Sequence, residues 1–151
     1  MPPVQTSYSN VQSPGCLGMV ANGEWVTNVI SRVVDPAATS SVAPGDPVLQ
    51  GASEQLVVPA SGGSGAFRGI AIRDSTLPPT AGDLFAPTVT VGVMTKGVVW
   101  VNAAAAVSPG QPAFFTPAGA LTGAATGNTA IPGAIWEGAA AAPGLVKLRL
   151  G

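Results

Sequence analysis

The chain is 151 residues long, 46% hydrophobic and only 9% charged, against roughly 25% charged for an average soluble domain. That length suits one domain with a core of its own, and six basic against seven acidic residues leave a net charge of −1, which excludes the dense basic face that neutralises a nucleic-acid backbone. No apolar run approaches the roughly eighteen residues of a membrane span, and Met1-Pro2-Pro3 lacks the basic start of a signal peptide, so the expectation is a soluble chain made in the cytoplasm, with neither membrane nor nucleic acid as a partner.

Twenty glycines and fifteen prolines punctuate the sequence too often for long helices. The valine-rich runs between them read as short strands joined by tight turns, an all-β pattern. Residues 1–24 carry Pro2, Pro3, Pro14, Gly15, Gly18 and Gly23 among Ser, Gln and Asn, with Tyr8, Leu17 and Met19 as the large apolar groups. Such a segment cannot bury enough of its own surface to fold alone, so it reads as an extended N-terminal arm held by packing on its own domain or on a neighbouring subunit. Its Cys16 is the one cysteine of the chain; no intrachain disulfide can form, and it reads as a small apolar residue.

From residue 25 a single β domain, 25–151, is expected. Residues 25–34 are β-branched and aromatic, with Val29, Ser31 and Val33 alternating with Ile30, Arg32 and Val34. After a turn at Pro44-Gly45-Asp46-Pro47, strands are expected at 48–50, 55–58 and 67–73, the last placing Ile70 and Ile72 on one face. Residues 88–93 alternate Thr or Gly with Val, the cleanest period-two segment, with Val89, Val91 and Val93 on one side. Residues 97–102, 113–116, 130–136 and 145–150 complete about nine strands; in the last, Val146, Leu148 and Leu150 face inward while Lys147 and Arg149 face out.

Two stretches, about 29–74 and 93–137, read as versions of one unit. Val42-Ala43-Pro44-Gly45-Asp46-Pro47-Val48 returns 65 residues later as Val107-Ser108-Pro109-Gly110-Gln111-Pro112-Ala113. In each, Pro fixes φ and the following Gly supplies the positive φ of a type II turn. Two similar β units sharing a core imply a β-sandwich or a jelly-roll-like barrel.

The inventory for catalysis is thin. Without histidine the commonest general base, nucleophile activator and metal ligand are missing. Glu24, Asp35, Asp46, Glu54, Asp74, Asp83 and Glu137 are scattered singly, several in turn contexts that favour Asp for its own sake. Ser61-Gly62-Gly63-Ser64-Gly65 is followed by neither Gly-Lys-Ser/Thr nor a helical pattern, so it reads as a hairpin connector and not a phosphate loop. No metal or cofactor site is expected. Trp25, Trp100 and Trp136 could form a sugar platform, but each falls in an expected strand, where packing is the better reading. Arg73-Asp74 at a strand end reads as an ion pair or an intersubunit contact.

The order of motifs resembles the structural cement, or capsid decoration, proteins of tailed bacteriophages. It runs through Gly18-Met19-Val20-Ala21, Val29-Ile30-Ser31-Arg32, Val42-Ala43-Pro44-Gly45-Asp46-Pro47-Val48, Gly69-Ile70-Ala71-Ile72-Arg73-Asp74, Val93-Met94-Thr95-Lys96-Gly97-Val98-Val99-Trp100-Val101 and Ala130-Ile131-Pro132-Gly133-Ala134. The resemblance implies a non-enzymatic β protein on the outer surface of the expanded head, bridging neighbouring major capsid proteins and itself acting as a dimer or trimer. Tyr8, Leu17, Met19, Trp25 and Arg73 are the candidate capsid or subunit contacts. Truncation of residues 1–24 is expected to leave the β domain folded and to weaken shell binding. A receptor- or carbohydrate-binding module of a phage tail is the alternative, and an enzyme working without histidine a distant third.

Overall fold

The computed structural model describes residues 15–77, 82–141 and 143–151; Tyr8 lies outside them. Among the described residues there is no helix and there are nine strands: β1 Asn28–Val34, β2 Pro47–Gln50, β3 Leu56–Pro59, β4 Phe67–Ala71, β5 Thr90–Ala103, β6 Pro112–Phe115, β7 Leu121–Thr122, β8 Thr129–Trp136 and β9 Gly144–Leu150.

The strand pairings close into two five-membered circuits that share β5. In the first, β1 runs parallel to β3, and antiparallel pairs β3–β2, β2–β4, β4–β5 and β5–β1 complete the ring. In the second, β5 runs parallel to β7, followed by antiparallel β7–β6, β6–β8, β8–β9 and β9–β5. Residues 90–96 of β5 serve the first ring and 97–103 the second. The strands thus form closed barrels, because both halves of β5 find partners on two sides.

The turns that enter β2 and β6 match bond for bond. Gly45 donates its N–H to the Ala71 carbonyl and Gly110 to the Trp136 carbonyl, each at 2.7 Å. The Ala43 N–H meets the Asp46 carboxylate at 3.0 Å and the Ser108 N–H meets the Gln111 side-chain oxygen at 3.1 Å. Val42 bridges Phe85 as Val107 bridges Ala140.

Val34, Val42, Val48, Val57, Ala71, Phe85, Val91 and Val93 fill the first barrel. A larger cluster built on Trp136, Val99, Val101, Phe115, Leu121, Ile131, Val146 and Leu148 fills the second and takes in Leu49, Ile70 and Met94 from the first. The barrels therefore pack on one another, with Phe67 stacked on Phe115 at 6.3 Å between centroids. Each fully buried Val or Leu contributes about 1.5–3 kcal/mol, so buried apolar side chains carry most of the fold.

Three sequence expectations change. The strands at 88–93 and 97–102 fuse into β5, because Gly97 takes φ +125° and carries the chain through where another residue would break it. Residues 121–122 form a strand too short to announce itself by alternation. β1 begins at Asn28, so Trp25 precedes the strand in a turn.

Candidate functional site

The described part of the arm, from Gly15 to Glu24, lies against the second half of β5. Gly18 donates to the Trp100 carbonyl at 2.8 Å, Trp100 donates to the Met19 carbonyl at 2.9 Å, and Ala21 donates to the Val98 carbonyl at 2.8 Å. Residues 18–21 thus act as a short antiparallel strand on the edge of β5, with Val20 bridging Val99. Gly18 makes this possible: its φ is +74°, and a Cβ there would stand 2.7 Å from the Arg73 nitrogen and from Pro44 Cβ. The Gly18 carbonyl in turn accepts the Arg73 N–H. Of the two holders open to the arm, its own domain holds this part.

A charged clamp fixes the arm's far end. Arg149 of β9 donates two bonds to Glu24, at 2.7 and 2.9 Å, and another to Glu137. Hydrogen bonding from Arg149 holds the Glu24 carboxyl below the ordinary glutamate range, and the bonds to Glu24 and Glu137 raise the guanidinium further above its already high value. The sequence showed Arg149 only as outward-facing; its partners lie 125 and 12 residues away, beyond the reach of a local pattern.

The candidate contact residues fall into two places. Leu17 and Met19 sit with Arg73 around Gly18, with Leu17 40% exposed. Leu17 also lines a depression of about 300 Å³ with Pro44, Pro47, Pro59, Asn102 and Leu121, where the arm meets both barrels. Arg73 pairs with Asp83 and not with its neighbour Asp74, which is instead held below the ordinary aspartate range by the Thr76 hydroxyl and N–H. Trp25 stands at the other end of the arm segment and is fully exposed. Beside it in sequence Val26 is 57% and Val29 40% exposed, an apolar surface that the sequence hid because residues 25–34 read as one strand.

The tryptophans do not form a platform. Trp136 is fully buried, and Trp100 is covered by Gly15 on its ring and by Lys147, whose Nζ lies 5.3 Å from the ring centroid. The two carboxylates brought together, Glu24 and Glu137, share Arg149, and among the described residues no group of three or more Cys, Asp or Glu side chains is placed to hold a metal ion. Burial pushes the Asp46 carboxyl up, and it is engaged as acceptor for the Ala43 N–H. What the surface offers is contact: apolar side chains around a well-ordered β scaffold.

The family model of the structural cement protein (E217 gp24/Pam3 gp6) matches residues 4–151. A chain from the capsid of Myoviridae Phage XM1 superposes with a TM-score of 0.70 at 20% identity, covering 98% of this chain and 97% of that one, and so shares the fold. The N base of head fiber gp8.5 in bacteriophage phi29 is a weaker match, with a TM-score of 0.46 and 13% identity over 83% of this chain and 95% of that one. No curated protein sequence matches significantly. With the family model spanning all but the first three residues, this chain belongs to the structural cement protein family of phages.

Proposed function

We propose that the protein decorates the outer surface of the expanded phage head, bridges neighbouring major capsid proteins and stabilises the shell without catalysing a reaction. The observation that carries this reading is the family match across residues 4–151. The surface supports it: Leu17, Met19 and Arg73 gather at the arm, next to the depression between the barrels. Apolar contacts at about 25 cal/mol per Å² are individually modest but add up when repeated around a shell. The repeated pairing of the two barrels further supports an internal duplication.

The arm truncation that tests this reading needs a different boundary from the one the sequence proposes. Removing residues 1–24 would uncover the β5 edge at Val98 and Trp100 and take Glu24 from Arg149, leaving it Glu137 alone, so loss of binding could follow from loss of structure. Removal of residues 1–14 leaves those bonds in place. Binding of that variant to expanded heads, with its fold checked by a cooperative thermal melt, is expected to weaken; undiminished binding would remove the arm's first residues from the contact.

A further inference from the structure

The turns that enter β2 and β6 share their hydrogen bonds and differ in charge. Asp46 and Gln111 each accept the N–H of the residue three before, Ala43 or Ser108, so a neutral amide does all that the turn requires. The charge nevertheless stands in the less exposed turn: Pro44, Gly45 and Pro47 are buried, whereas Pro109, Gly110 and Pro112 are exposed. Water solvates an ion best at the open turn, and an ion at the covered one calls for a cation. Among the described residues none meets it. The Asp46 carboxylate takes the Ala43 N–H at 3.0 Å, while Arg73 is paired with Asp83 and Arg149 with Glu24 and Glu137. Burial accordingly raises the Asp46 carboxyl, with no ion pair to oppose it.

Asp46 also lines the depression between the barrels, and among the described residues it is the one charged group that does so. Leu17, Pro44, Pro47, Pro59 and Leu121 give the depression apolar walls, and Ser61, Asn102 and Gly119 leave it an exposed rim. Its volume of about 300 Å³ stands at the small end of ligand pockets, which run from roughly 300 to 1,000 Å³. A single charge among apolar walls suits one side chain better than a cofactor. Lysine and arginine bury themselves in this way, with the aliphatic stem on apolar surface and the head at a carboxylate.

We propose that the depression is a socket for one basic side chain, lysine or arginine, of the major capsid protein, with its stem against the prolines and its head at the Asp46 carboxylate. The proposal rests on the decoration role and names the chemistry of its partner. Charge complementarity selects the occupant: an apolar side chain would seal a carboxylate away from water without a cation, and an acidic one would set like charges together.

Asp46→Asn tests the socket, because an amide keeps an acceptor for Ala43 and removes the charge. Binding to expanded heads lacking the protein is expected to weaken at least about tenfold, with a melting temperature no lower than that of the wild type and a flatter dependence of binding on salt. Undiminished binding by the folded variant overturns the proposal and leaves the decoration role standing. Weakened binding with an unchanged salt dependence overturns it too, since no ion pair has then been lost. Should Asp46→Asn fail to fold, or the wild type not bind heads, titration of the free wild type with n-butylguanidinium decides, read as amide chemical shifts at Asp46, Asn102 and Leu121. Saturable shifts that n-butanol does not produce support a cation socket. No saturable shift, or equal shifts with n-butanol, overturns it. A wild type that does not bind heads counts against the decoration role itself, whichever way the titration falls.

Discussion

At the residue scale, two side chains carry predictions with a defined sign. Glu24 is held below its ordinary value by Arg149, so its contribution is present in full above the unfolded glutamate value, near 4.3, and is lost as pH falls through the lower folded value. Replacement by Gln is therefore expected to flatten the acid limb of the stability curve, read as melting temperature against pH. Asp46 has the opposite sign: burial raises it, so its ionised form costs stability as pH rises through the ordinary aspartate range. Asp46→Asn keeps an acceptor for Ala43 and removes the buried charge, as the neutral Gln111 already does for Ser108 in the second barrel. Its melting temperature at neutral pH is expected to equal or exceed that of the wild type. The Glu24 pairing was not legible in the sequence, since it meets Arg149 across 125 residues, whereas the turn that holds Asp46 and the inward and outward alternation of residues 146–150 were, because both are local.

At the element scale, the sequence made most strands visible and hid how they join. Turns at Pro44-Gly45 and Pro109-Gly110 show themselves by residue chemistry alone, and the valine alternation before Met94 marks a half-buried strand. The fusion of two expected strands into β5 was hidden because glycine usually reads as a break, while Gly97 here keeps the strand running past Thr27. β7 was hidden by its length. The arm's hold on β5 rests on Gly18, whose left-handed φ and close contacts admit no side chain. Gly18→Ala is expected to cost about 1–2 kcal/mol from the backbone alone and to speed amide exchange at Trp100, whose N–H the Met19 carbonyl accepts. By contrast Trp136 is the largest fully buried side chain. Its replacement by Ala is expected to cost about 3–5 kcal/mol by denaturant unfolding, with the second barrel losing its centre.

At the scale of the whole molecule, the composition finds a physical account. A chain with 9% charged residues leaves large apolar side chains exposed, among them Leu17 on the arm and Trp25, Val26 and Val29 at the turn and strand that follow it. Two barrels sharing one long strand form the body of the molecule. The measurement that tests the decoration role most directly is co-sedimentation of the purified, folded protein with expanded heads lacking it, beside unexpanded precursor heads. The decoration role predicts saturable binding at a fixed ratio to the major capsid protein, with preference for expanded heads. Absence of saturable binding to either form would contradict it.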